Sequence, residues 1–310
     1  MSTTGSGAEG AVMILVCGAT GLLGSRIVEH LVEAEQAVRA FVRPDTDASA
    51  LQASGVTIAR GDLRGPTSVR AALAGVDTVV TSANAVSRIL DGDKDLTIAD
   101  VDLAGNLDLI RAASEAGVRR FVFVSAAGMG RGLERLAPLT EAKWHAEQAL
   151  AASPMRSVVV RSDMLMEIWL EPLSGIDPGN GKAVVYGRGQ AAHRYIAADD
   201  LAALCAHLAT VDDPPRVVEV GGPEALTRNE VVAAFAAAAG RELRVRHVPR
   251  GVLDLASRAL WNMKPALASM LAMALFSDTH PSTADDAPLR AAGIEPRTAS
   301  DYIRASVDVR

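Results

Sequence analysis

Val12-Met-Ile-Leu-Val-Cys17 is an unbroken apolar run, and Gly18-Ala-Thr-Gly-Leu-Leu-Gly24 follows it directly. Beyond the glycines, Leu23, Ile27, Val28 and Leu31 recur at the spacing of one helix face. A strand apolar on both sides, a tight turn and an amphipathic helix are expected at the start of a parallel sheet whose faces are both covered. The glycines at 18, 21 and 24 meet three physical needs. A tight turn wants positive φ, an anion must approach the backbone, and the helix must pack close to its strand. The helix then points unpaired N–H groups and its dipole at phosphate oxygens, which makes a pyrophosphate the expected ligand. The spacing is G-x-x-G-x-x-G; what gives it weight is the strand before it and the helix after it.

The alternation continues outward. Strands are predicted at Ala37–Val42, Val56–Ala59, Val76–Thr81, Arg120–Ser125 and Ser157–Val160. Helices are predicted at Thr67–Leu73, from about Ile98 to Ala116, and at Thr140–Ala151. Repeated β-α-β units with short links imply an α/β fold, a doubly wound parallel sheet with right-handed crossovers. After Arg161 the rhythm breaks, and Asp200–Ala209 and Arg216–Val220 return as a helix and a strand. The expected organisation is a disordered start at 1–10, a dinucleotide-binding domain at 11–163 completed by about 191–220, and a smaller, mostly helical substrate lobe at 164–190 and 221–310.

Composition agrees with a large globular chain. Its 310 residues are 49% hydrophobic and 22% charged, with only 4% aromatic, so the core is aliphatic. The 31 basic and 37 acidic residues leave a formal charge of −6, which argues against nucleic acid as partner. Cys17 and Cys205 lack metal-site or redox-pair spacing and read as buried thiols of a cytoplasmic protein. The start lacks the features of a signal peptide, and Ala266–Phe276 is too short to span a bilayer. That run is expected to be a buried or lid helix, with no membrane as partner. Asp91-Gly-Asp-Lys-Asp95, with Ile98 and Asp102, approaches a calcium loop, but Leu96 stands where the turn needs glycine, so no metal is expected.

Gly18–Gly24, Gly61-Asp-Leu63, Gly75-Val-Asp77, Ser82-Ala-Asn84 and Phe121-Val-Phe-Val-Ser125 fall in the order seen in atypical short-chain dehydrogenases. With Lys143, Tyr195-Ile-Ala-Ala-Asp-Asp200, Gly221-Gly-Pro223 and the stretch from Leu226-Thr to Gly240-Arg241, the chain most closely resembles their NmrA-like branch, over roughly 12 to 310. The resemblance implies a Rossmann fold and a nicotinamide dinucleotide. Expected cofactor contacts are Gly18, Thr20, Gly21, Leu22, Leu23, Gly24, Arg43, Asp62, Leu63, Ser82, Ala83, Asn84 and Lys143. Asp62 and Leu63 would meet the adenine; the plain alternative is a turn aspartate bonding its own backbone. Ser82, Ala83 and Asn84 follow the fourth strand, where ligands gather outside strand C-termini. In Phe41-Val-Arg43-Pro44 no carboxylate precedes Asp45, and Arg43 can fork onto a 2′-phosphate, so NADP(H) is preferred over NAD(H).

Short-chain dehydrogenases pair a serine with Tyr-x-x-x-Lys. Lys143 stands at the lysine position, but the tyrosine position is Leu139, which cannot donate a proton. The expected catalytic set is therefore Lys143, Ser125 and Tyr195, with Tyr186, His193 and a held water as other proton sources. His145 would face elsewhere on its helix, and Asp200 would cap or orient the helix it begins. Met164, Met166, Trp169 and Tyr186, with Trp261 and Met263, suggest a bulky apolar substrate such as a polyketide or quinone. The function expected is an NADPH-dependent oxidoreductase of ketoreductase type, acting as monomer or homodimer. The alternative is an NmrA-type redox sensor that binds NADP(H) without consuming it; a sugar-nucleotide epimerase fits less well because it too leans on the missing tyrosine.

Overall fold

The computed structural model describes residues 12–90 and 92–308. The predicted disorder at 1–10 and the first aspartate of the calcium-like loop, Asp91, lie outside the described residues.

The apolar run forms β1 (Met13–Cys17), and the glycine turn leads into α1 (Leu22–Glu33). Then follow β2 (Ala37–Val42), α2 (Ser49–Ala53), β3 (Thr57–Arg60), α3 (Pro66–Ala72), β4 (Thr78–Thr81) and α4 (Val86–Leu90). After these come α5 (Asn106–Glu115), β5 (Arg120–Ala126), α6 (Pro138–Ala152) and β6 (Arg156–Ser162). The helix predicted from Ile98 begins instead as a π-helical turn, Ala99–Gly105, that runs into α5. The chain continues through α7 (Met166–Trp169), β7 (Ile176–Asp177), β8 (Lys182–Tyr186), β9 (Ala192–His193), α8 (Ala198–Thr210) and β10 (Val217–Val220). Last are β11 (Leu226–Thr227), α9 (Arg228–Ala238), β12 (Arg244–Val248), α10 (Arg250–Leu260), α11 (Pro265–Thr279), α12 (Ala287–Ala291) and α13 (Ala299–Asp308).

Seven parallel strands form the main sheet, in the order β10-β6-β5-β4-β1-β2-β3. The order reverses between β1 and β4, and a crevice opens at the C-terminal ends of strands at such a point. Side-chain alternation divides the core in two. Ile14, Val16, Val80, Val122 and Val124 face α1 and α8, in one cluster with Leu23, Ile27, Leu31, Leu201 and Leu208. Leu15, Cys17, Val79, Phe121 and Phe123 face the other way, with Val69, Leu109, Ile110 and Leu150 of α3, α5 and α6. Each fully buried Leu or Ile side chain contributes about 1.5–3 kcal/mol, which is why the strands are apolar on both sides.

The lobe holds more strand than its sequence suggested. Among the described residues, β8 pairs with β7 antiparallel and with β12 parallel, and β9 pairs with β11. α9 starts with a capping box, in which Thr227 Oγ1 accepts from the Glu230 N–H and Glu230 accepts from the Thr227 N–H. One stretch expected in the lobe does not lie there. After α11 the chain returns to the sheet edge, where Val220 bridges Asp285, and Leu289 of α12 joins the cluster of Leu204, Leu208, Val218 and Val220. An apolar residue beside the outermost strand covers β10, which would otherwise expose that face.

The thiols of Cys17 and Cys205 are buried, and burial pushes both up to about 12. No helix among the described residues is long and apolar enough to cross a membrane.

Candidate active site

The glycine turn sits at the reversal between β1 and β4. Gly18 adopts φ +83°, and a Cβ there would lie 3.0 Å from the Ala83 nitrogen, so the loop after β4 crosses directly over it. A Cβ on Gly24 would lie 2.0 Å from the Gly18 oxygen; only glycine lets α1 approach β1 this closely. Gly21 is the N-cap of α1 and no side chain caps the helix, so the first N–H groups are open to an anion. Thr20, Gly21 and Leu22 are exposed, whereas the Leu23 side chain and Gly24 are buried against the sheet. This cradle fits a dinucleotide pyrophosphate.

At the end of β2, the Arg43 carbonyl accepts from the Thr46 N–H and from Arg60, while its guanidinium has no hydrogen bond or ion pair among the described residues; its charge field holds Arg88, Asp62, Asp93 and Arg64. Asp62 is held by Arg64 through Nε and Nη2 and accepts the Arg64 N–H at 2.8 Å, the local turn bond expected as its plain alternative. Those bonds, against the cost of burial, hold its carboxyl below the usual carboxylate range. Asp93 pairs with Arg88. Leu63 is buried, and Asn84 folds back, its side-chain amide donating to the Ser82 carbonyl.

Lys143 projects from α6 under the crevice, and its Nζ donates to the Val124 carbonyl at 2.8 Å. Burial lowers the pKa of its ammonium, against the pull of Asp102 and Glu147. Leu139, at the tyrosine position, is packed with Ile98, Ala142 and Ala266, and its N–H donates to Ser269 Oγ of α11. The apolar run therefore becomes a helix that roofs α6. Ser125, expected in the catalytic set, is committed to a partner within the protein. Its hydroxyl donates to buried Glu147 at 2.5 Å, and Glu147 is itself paired with Arg161. A hydroxyl held by a charge-assisted acceptor is not free for a substrate.

Beside the C-terminal end of β6 a small cavity is lined by Met164, Trp169, Tyr186, His193, Tyr195 and Arg228, with Asp278 and Ser277 of α11. Three of the four expected substrate contacts and three of the expected proton sources thus meet. Met166 does not: it is 0% exposed and packs with Leu170, Ile176 and Tyr195 in the lobe core, because its place on α7 points inward. Met263 is 78% exposed, and neither it nor Trp261 lines this cavity. His193 does not offer a free N–H. Its Nδ1 faces Asp163 Oδ1 at 3.3 Å and its Nε2 faces the Ser277 carbonyl at 2.7 Å. Two acceptors satisfy a doubly protonated ring, and although burial lowers its pKa, the Asp163 hydrogen bond and charge raise it further. Tyr195 is 2% exposed and lies against the Arg228 guanidinium; burial raises the pKa of its phenol, against the effect of Arg228. The Tyr186 hydroxyl takes no hydrogen-bond partner among the described residues, and the residue is half-buried at the cavity wall.

Asp200 does not cap α8. It accepts the Arg297 N–H at 2.8 Å, while Glu167 accepts the Ala198 N–H at the helix start. Burial pushes Asp200 up to about 6. The residues that sequence reasoning missed are Asp102, Glu147, Asp163, Arg228 and Asp278. Asp163 follows β6 directly, a position that merits inspection in any parallel sheet.

An uncapped helix start and a glycine cradle at the reversal point of a parallel sheet define a Rossmann-type dinucleotide-binding protein. Residues 18–212 match the NAD(P)H-binding family, and the chain belongs to this family, in its NmrA-like, atypical short-chain dehydrogenase/reductase branch. It is 33% identical over 254 residues to an NAD(P)H azoreductase of Xenophilus azovorans, covering 81% of each chain. Its fold is similar to an NADPH-dependent quinone oxidoreductase of Escherichia coli in complex with NADPH (TM-score 0.74, 21% identity, 95% of this chain and 99% of that one). It is also similar to the triphenylmethane reductase of a Citrobacter species (TM-score 0.72, 18% identity, 96% and 99%). The azoreductase and the quinone oxidoreductase are, by their names, NAD(P)H-dependent oxidoreductases.

Proposed function

We propose that the chain is an NADPH-dependent reductase that passes hydride to a carbonyl, or a quinone, of a bulky apolar metabolite. The observation that carries the reading is the cavity of Met164, Trp169, Tyr186 and Tyr195 beside β6, next to the strand whose carbonyl holds Lys143. The names of the relatives agree with it: an azoreductase, a quinone oxidoreductase and a triphenylmethane reductase each act on a conjugated acceptor of electrons.

The nicotinamide supplies the hydride when bound. The chain's part is to hold and orient. Backbone amides from Gly18 to Gly24 grip the pyrophosphate, with Thr20, Leu22 and Leu23 supplying the turn and first helical positions. Arg43 takes the 2′-phosphate: Arg64 and Arg88 are already bound to Asp62 and Asp93, which leaves Arg43 as the uncommitted guanidinium of this group. This favours NADP(H) over NAD(H). Asp62 and Leu63 flank the adenine, Ser82, Ala83 and Asn84 the nicotinamide side, and Lys143 bonds the ribose. Tyr195, oriented by Arg228, is the proton donor closest in kind to the missing tyrosine. Met164 and Trp169 receive the substrate's apolar face and Tyr186 its rim.

Leu139 and the commitment of Ser125 favour one second reading, an NADP(H)-binding redox sensor. NADPH consumption against a panel of ketones, quinones and azo dyes separates the two. Turnover with any of them supports the reductase; tight NADPH binding without consumption of cofactor supports the sensor.

A further inference from the structure

Arg228 lies against Tyr195, and its charge is left unanswered. It is the first residue of α9, and its side chain reaches the cavity beside β6. Nη1 donates to the Trp169 carbonyl, and Nη2 donates to the Ser174 carbonyl at 2.8 Å and to the Ser174 hydroxyl at 3.0 Å. These bonds clamp α7 and the 3₁₀ turn Pro172–Ser174 against α9 and fix the cavity wall at Trp169. All three acceptors are neutral, and Arg228 forms no ion pair among the described residues. A guanidinium carries five N–H groups. The three bonds leave two of them, and the group beside the guanidinium, the Tyr195 phenol, is uncharged.

The other charges at the cavity cancel in place. The Asp278 carboxylate accepts the N–H groups of Arg188 and Gly189 and pairs with Arg250. His193 faces Asp163 with one nitrogen and the Ser277 carbonyl with the other. Arg228 is thus the charged group of the cavity wall that lacks an opposite partner among the described residues. A half-buried guanidinium held by neutral oxygens has lost water without gaining a counter-charge. Its place in the fold adds to this. The start of a helix carries partial positive charge, which disfavours a cation and favours an anion. The Tyr186 hydroxyl, a second donor with no partner among the described residues, lines the same cavity. Met164, Trp169 and Ala274 supply the apolar part of the wall.

We propose that Arg228 sets the specificity of this cavity for acceptors that carry an anionic group, such as a carboxylate, on a conjugated apolar body. The guanidinium pairs with the anion while Met164 and Trp169 hold the rings. The proposal rests on the reductase reading and narrows its substrate class. Charge-assisted N–H bonds to a carboxylate or sulfonate are stronger than those to a neutral oxygen. An uncharged ligand of the same shape leaves the guanidinium without its counter-charge, so the discrimination comes from charge rather than from fit.

The test compares ligands of one shape and different charge, β-naphthoate and β-naphthamide, on the full chain with oxidised NADP bound. Calorimetry gives the affinities. The Met164 methyl signal in NMR localises the ligand, and Met263, 78% exposed and outside the cavity, is the reference. Turnover with NADPH is compared as kcat/KM for naphthoquinone and its sulfonated form. Arg228→Gln keeps N–H donors without the charge, and Arg228→Lys keeps the charge without the fork. Wild type should bind the acid about tenfold or more tightly than the amide. Arg228→Gln should bring that ratio to within about twofold of unity, and should lower the sulfonated-to-parent ratio of kcat/KM in parallel. Arg228→Lys should retain most of both ratios. If the glutamine variant weakens acid and amide equally, Arg228 is only a clamp and the proposal is overturned. Equal losses of the ratio in the lysine and glutamine variants overturn it too, as does binding that shifts Met263 and leaves Met164 unmoved. If no quinone is turned over, the reductase reading fails, and the acid-to-amide ratio alone decides the anion site. Should the glutamine variant not fold, the wild type decides: a preference for the acid at Met164 supports the proposal, and its absence overturns it.

Discussion

Gly24→Ala tests the geometry on which cofactor binding depends. The new methyl would lie 2.0 Å from the Gly18 oxygen and 2.6 Å from its carbonyl carbon, where ordinary contact begins at 3.4 Å. Both atoms are backbone, so no rotamer change relieves the clash, and α1 must retreat from β1 by more than an ångström. Overpacking of this kind costs about 3 kcal/mol at the upper end of its usual range. Alanine returns about 1 kcal/mol through its better helix propensity. A net loss of about 2 kcal/mol is expected in urea unfolding followed by circular dichroism. NADPH affinity should fall in parallel, because the first N–H groups of α1 move with the helix. Gly21→Ala is the control. Gly21 has an ordinary φ of −85°, and its methyl would meet only the Gly18 oxygen, at 3.3 Å. It should keep wild-type stability yet bind NADPH about tenfold or more weakly, since the methyl stands over the open turn. A Gly24→Ala protein as stable as wild type would refute the packing argument. A Gly21→Ala protein with undiminished NADPH affinity would refute the location of the phosphates.

Arg43→Ala should weaken NADPH binding by about tenfold or more and leave NADH binding nearly unchanged in parallel fluorescence titrations; equal losses remove its role. Glu147→Ala should destabilise the protein by about 3 kcal/mol in urea unfolding, because Arg161 is left charged and largely buried. His193 is raised above its unfolded value, so its stabilisation is present below about 6.5 and lost as pH rises through the folded value; stability of His193→Gln should be flat across that alkaline-side loss. Trp169→Ala should raise KM for bulky acceptors more than for small ones, with kcat little changed.

The nucleotide half was legible because its physics repeats. Strands buried on both faces must be apolar throughout, and the glycines mark where backbone meets backbone or ligand. The lobe was harder to read. β12, Arg244-Val-Arg-His-Val248, is largely exposed, so its composition carries no burial signal. β8, Lys182-Ala-Val-Val-Tyr186, did carry one: a short apolar run between Gly181 and Gly187, which was overlooked beside the break in rhythm. Asp102 also had a signal. It falls on the stripe of Ile98, Val101, Gly105 and Leu109 that helical spacing buries, but it was read as the last position of a calcium-like loop. Its acidic companions turn out to be dispersed, with Asp93 on Arg88 and Asp100 on Thr97. Ser125 was read from its position at a strand end, and no sequence pattern could say that Glu147, twenty-two residues on, takes its proton.

The sheet is not completed by consecutive chain. Between β6 and its neighbour β10 the backbone leaves to lay down β7, β8 and β9, comes back through α8, and departs again until α12 closes the edge. The two halves are therefore interlaced, and no single cut frees either one. A fragment ending after β6 would lack α8, leave the α1 side of the sheet uncovered and present β6 as a naked margin to any passing strand. The cavity beside β6 is therefore reshaped by editing loops in place, because transplanting the lobe as a block would unravel the sheet with it.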